Sequence, residues 1–197
     1  MRTKEINSLA KEVFEANGKK GFHDEEQSNE TLLMLVLCEL SEAVEADRKT
    51  YRKIPDIDAF RNKLYGHWSW KGYPDYIVGA AYEWHVKGCR EEELADAVIR
   101  LLDLAGLRGV ELNYSDNTKK YIKKPKTEPL FSEKIYKLCQ YVAQPNSAKD
   151  ETLPATISKA IADIEATCRI FEIDLWKHIE IKLLYNKTRE HKHGKTY

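Results

Sequence analysis

Apolar residues in this chain fall three and four positions apart in one stretch after another, and nowhere do they alternate convincingly. A period near 3.6 buries one face of a helix, whereas a strand needs a period of two. INSLAKEVFEANG sets Ile6, Leu9, Val13 and Phe14 on one stripe and stops at Gly18. NETLLMLVLCELSEAVEADRK follows, with an asparagine or threonine available as its N-cap. The pattern returns in EEELADAVIRLLDLAGLRGV, EKIYKLCQYV, ATISKAIADIEATCRIF and DLWKHIEIKLLYNKTRE. The expected fold class is all-α, a helical bundle. At 197 residues the chain suits a single domain over 1–197 with a substantial core.

Two segments break the helical pattern. Residues 51–90 hold proline, glycine and a run of aromatics in RNKLYGHWSWKGYPDY, and read as an insertion that includes one short amphipathic helix, YIVGAAYEWHVKG. Residues 113–130, NYSDNTKKYIKKPKTEPL, are polar, lysine-rich and proline-bearing, which predicts a solvated loop. AQPNSAKDETLP predicts a second loop.

Charge and cysteine usage narrow the function classes. Lys plus Arg and Asp plus Glu both number 32, so no overall basic field exists to hold nucleic acid or an anionic membrane. The apolar run at 32–37 is too short to span a bilayer, and MRTKEINSLAKEVF lacks a signal-peptide core. Cys38, Cys89, Cys139 and Cys168 show no paired spacing, which argues against a zinc knuckle or a disulfide framework. Reduced thiols and a cytoplasmic location are the expectation.

The chemistry begins where acids stand in oily company. On a helical wheel Glu39 lies among Leu32, Leu35, Val36, Ala43 and Ala46, and Glu42 follows at i+3 near the edge of that arc. A buried carboxylate is costly unless paired or protonated, and two adjacent ones repel. An arginine on a neighbouring helix would answer this, and so would a divalent cation. Glu93 and Asp96 form a second i, i+3 pair, in a narrow polar row with Arg100 and Asp103 on an otherwise apolar helix. Such a row also suits the solvent strip of a well-buried helix. Facing each other, the two pairs offer four hard oxygen ligands, a set for Mg²⁺ or Mn²⁺ rather than zinc.

The closing helix adds a complementary row. Lys182, Asn186 and Arg189 continue the stripe of Leu175 and Ile179, and HKHGK with Lys195 follows. Cation-binding carboxylates opposite a Lys/Asn/Arg row make a polyphosphate receptor. A basic helix C-terminus complementing its dipole is the simpler account of Arg189 and the tail.

ELSE, ELAD and KLLYNKTREHKHGK, in that order, resemble the MazG-like all-α nucleoside triphosphate pyrophosphohydrolases. The resemblance touches about half of the chain, and Cys38 stands where that family commonly has a further glutamate. It implies Mg²⁺-dependent hydrolysis of a nucleoside triphosphate to the monophosphate and pyrophosphate. Glu39, Glu42, Glu93 and Asp96 would be the metal-binding and catalytic carboxylates. Lys182, Asn186, Arg189 and Lys195 would bind phosphate, and the subunits would assemble as a homodimer or homotetramer. Trp68 and Trp70, in an aromatic cluster tethered between the acidic pairs, are candidates to stack on the base or to pack an interface. From other classes, a non-catalytic helical module binding nucleotide or protein, or a bundle whose acids are salt-bridged, would share these features.

Overall fold

Eight α-helices account for most of the described residues: α1 (Thr3–Lys19), α2 (Asn29–Asp47), α3 (Ile57–Tyr65), α4 (Asp75–His85), α5 (Arg90–Arg108), α6 (Phe131–Val142), α7 (Leu153–Ile170) and α8 (Leu175–Thr188). A 3₁₀ turn, His191–Gly194, follows α8. The structure is a computed structural model that describes residues 3–49, 51–65, 75–114, 130–144 and 146–194. No strand occurs among them, so the all-α class holds. None of their helices is long and apolar enough to cross a membrane.

α5 is the central helix, in contact with α1, α2, α7 and α8. Its buried positions include Leu94, Ala95, Ala97, Val98, Leu101, Leu102, Leu104 and Ala105, nearly all the way round, as a helix surrounded by others requires. The Cys89 sulfur caps its start by accepting the Glu92 N–H, and Gly109, at φ 62°, ends it in the left-handed conformation that glycine adopts without a Cβ penalty. α2 starts at Ser28, whose hydroxyl accepts the Thr31 N–H, so the cap is a serine one residue before the expected asparagine.

Side-chain pairs fix how α2 and α5 run. Arg108 Nε donates to Asn29 Oδ1 at 2.7 Å, and Arg100 Nε donates to Glu39 Oε1 at 2.6 Å. Glu42 meets Glu93 near the far ends, so the two helices are antiparallel. α1 lies against α5 so closely that a Cβ on Gly106 would stand 2.5 Å from Phe14 Cβ and 2.8 Å from the Ala10 carbonyl oxygen. Gly106→Ala is therefore expected to destabilise by about 1–3 kcal/mol despite alanine's better helix propensity, read as a lowered midpoint in urea.

The insertion is more helical than the sequence suggested. Residues 57–65 form α3, which the proline-and-aromatic composition of the segment had hidden. Phe60, Leu64, Val78, Ala81, Tyr82, Val86 and Cys89 join Ile181 and Tyr185 of α8 in a second apolar cluster. The first cluster gathers α1, α2, α5, α6 and α7 with Leu175 and Ile179 of α8. α8 thus faces both clusters, and Lys182 lies between its contributions to each. Residues 115–129, most of the expected lysine-rich loop, lie outside the described residues, as do Trp68 and Trp70.

Candidate metal centre

The antiparallel pairing of α2 with α5 brings the two acidic motifs together. Glu39, Glu42 and Glu93 each offer a carboxylate oxygen, and these oxygens lie within 4.8 Å of one another. Ligands on opposite sides of one Mg²⁺ stand about 4.2 Å apart, so a small inward adjustment closes the set on a cation. Glu39 is buried, Glu93 half-buried and Glu42 exposed, which gives the cluster one open side. It lines a cleft of about 270 Å³ shared with Glu92, Asp96, Arg100, Lys182, Asn186 and Arg189.

Both accounts of Glu39 have support. Arg100, one of the polar row on α5, pairs with it directly. Among the described residues, however, no lysine or arginine stands within ion-pairing distance of Glu42 or Glu93. One arginine therefore meets one of three clustered carboxylates.

The electrostatics record the imbalance. Burial, then the charges of Glu92 and Asp96, push the Glu93 carboxyl up to about 8. Burial pushes Asp96 up to about 6, with Lys182 opposing the shift and Glu39 adding to it. A group whose folded-state pKa is raised stabilises fully below its unfolded pKa and loses that contribution as pH rises through the folded value. The metal-free protein is accordingly expected to lose stability from Glu93 between about pH 4.5 and 8. Glu93→Gln should flatten the curve of urea midpoint against pH in that window.

The phosphate row is placed unevenly. Lys182 is 4% exposed. Its Nζ donates to Glu92 Oε1 and meets Asp96 Oδ2, both at 2.6 Å. Its ammonium also lies 5.5 Å from the Tyr82 ring and 5.6 Å from the Tyr185 ring, which stack on each other. Burial works against the Lys182 charge, but Asp96 and Glu92 outweigh it and hold its pKa above the ordinary lysine value. Lys182 thus bridges two acids in the cleft with a single charge. Asn186, one turn on, lines the same cleft with its Oδ1 buried and unpartnered by protein. Arg189, the C-cap of α8, lines it too and packs over Tyr185 at 5.5 Å. Lys195 lies outside the described residues.

Glu92 is the acid the sequence did not single out. It is 3% exposed, accepts the Gly88 N–H through Oε2 and engages Lys182 through Oε1. In the sequence it is one of three glutamates in the first turn of α5, where any acid suits the helix dipole. Only its i, i+4 relation to Asp96 marked it. Glu91, its neighbour, turns the other way, to Arg90 at 3.3 Å, and Arg90 reaches Asp47 at 2.6 Å.

The donor set is oxygen alone, carries excess negative charge and opens to solvent at Glu42, which fits a hard divalent cation. Comparison with family models, with curated proteins and with solved structures returned no match for this chain.

Proposed function

We propose that the chain is a Mg²⁺-dependent nucleoside triphosphate pyrophosphohydrolase of the MazG-like type, releasing the monophosphate and pyrophosphate. The observation that carries this reading is the convergence of Glu39, Glu42 and Glu93 within 4.8 Å, with Glu42 and Glu93 lacking a cationic partner among the described residues. Glu39, Glu42 and Glu93 hold the metal, with Mn²⁺ an acceptable substitute, and Asp96 stands beside them, oriented by Lys182. A bound Mg²⁺ supplies Lewis acidity toward phosphate oxygens and an acidified water. Arg189 and the Asn186 amide face the phosphates from the end of α8; Lys195, six positions on in the sequence, is carried in this reading as a further phosphate-binding cation. Lys182 contributes chiefly by keeping Asp96 and Glu92 charged and in place. Homodimer or homotetramer assembly belongs to the same reading.

Two measurements test it. Mg²⁺ at a hundred times its Kd should stabilise the native state by about 2.7 kcal/mol, a rise in Tm of roughly 5–10 °C. A bundle whose acids are merely salt-bridged would not respond. A panel of ribo- and deoxynucleoside triphosphates with Mg²⁺, scored for pyrophosphate, then separates an enzyme from a binding module. Stabilisation by nucleotide without pyrophosphate release would leave the non-catalytic alternative.

A further inference from the structure

Away from the carboxylates the cleft changes character. Its walls become Phe22, Leu32, Leu35 and Ile99, with Asn17 and Asp103 adding polar groups. The antiparallel pairing places these walls together, because Leu32 and Leu35 precede Glu39 on α2 just as Ile99 and Asp103 follow Asp96 on α5. Leu32 stands about 10 Å from Glu39 along the α2 axis, and Asp103 about the same from Asp96 along α5. An apolar slot at that distance from a metal–phosphate site suits a flat ring joined to the phosphates through a sugar.

Asp103 is the charged group of the slot, beside the neutral Asn17. It accepts from His23 Nε2, at 3.1 Å through Oδ1 and 3.3 Å through Oδ2, and both side chains are 14% exposed. His23 is itself held by stacking on Phe14, with ring centroids 4.8 Å apart. An ionised carboxylate only accepts hydrogen bonds, and one imidazole N–H does not fill its roughly four lone-pair sites. The base edge that complements it is therefore a donor. An exocyclic amine qualifies, whereas a keto oxygen at that position sets acceptor against acceptor.

We infer that this end of the cleft is a nucleobase subsite in which Asp103 selects a base bearing an exocyclic amine, cytosine over uracil. The inference rests on reading the cleft as a nucleotide site, and its test does not require turnover. Cytidine and uridine 5′-monophosphates are titrated by calorimetry into the protein with Mg²⁺. The cytidine nucleotide should bind about ten- to a hundredfold more tightly, the range of a hydrogen bond to a charged group. Asp103→Asn offers donor and acceptor alike and should bring the two affinities together. Asp103→Ser serves in its place if the amide disturbs His23, and the wild-type comparison needs neither variant. Equal affinities in the wild type, tighter uridine binding, or no binding of either would overturn the subsite, and a preference that survives both substitutions would remove Asp103 from it. A cytidine preference without pyrophosphate release from cytidine triphosphate would sink the proposed activity and leave the subsite standing.

Discussion

Lys182→Met is expected to lower the Tm of the metal-free protein by roughly 6–20 °C. Removing one partner of a buried ion pair costs about 3–5 kcal/mol, and each kcal/mol moves Tm by about 2–4 °C in a chain of this size. Here one ammonium serves two acids, Glu92 and Asp96, and its removal leaves both facing each other in a buried setting. Methionine fills the volume beside the stacked Tyr82 and Tyr185 rings but supplies no charge. Adding Asp96→Asn should recover part of the loss, since one of the stranded carboxylates is then gone, and a double-mutant cycle measures the coupling. Lys177→Met is the control: the contribution of Lys177 to the α8 cap is its backbone N–H, so stability should stay within about 0.5 kcal/mol. A Lys182→Met protein as stable as the wild type would show that the buried ion pair does not form.

Glu93→Gln gives the second large effect, in the opposite direction for the metal-free fold. The amide is nearly isosteric and removes a charge that burial, Glu92 and Asp96 all disfavour. At pH 8 the variant should be at least as stable as the parent without metal. It should lose most of the Mg²⁺-induced rise in Tm, and pyrophosphate release should fall more than about 100-fold, beyond what loss of an outer-shell partner costs. Glu45→Gln, on the exposed face of α2 beside Arg48, should change neither. Wild-type turnover by Glu93→Gln at saturating Mg²⁺ would remove Glu93 from the centre.

These effects divide unequally between what the chain announces and what the fold arranges. The 3.6-residue period announces α1, α2, α5, α6, α7 and α8, because each buries a continuous apolar stripe and the stripe is written locally. Glu39 announces itself for the same reason: a carboxylate inside such a stripe has no local explanation. α3 does not, since its short apolar set, Phe60 and Leu64, gains its burial in a tertiary cluster with residues of α4 and α8 and with Val86 and Cys89.

The sequence alone determined every helix but α3, their apolar faces and the two acidic i, i+3 pairs, all of which depend on residues within two turns of each other. Tertiary structure decided which acids meet. The antiparallel docking of α2 on α5 put Glu42 beside Glu93 and gave Glu39 to Arg100. The seating of α8 between two apolar clusters drove Lys182 into the floor of the cleft, where Glu92 and Asp96 claim it. A wheel shows that Lys182 faces inward, but the charge it meets there lies on another helix, some 90 residues away in sequence. Partners across such a separation are chosen by how whole helix faces pack, and no local pattern encodes them.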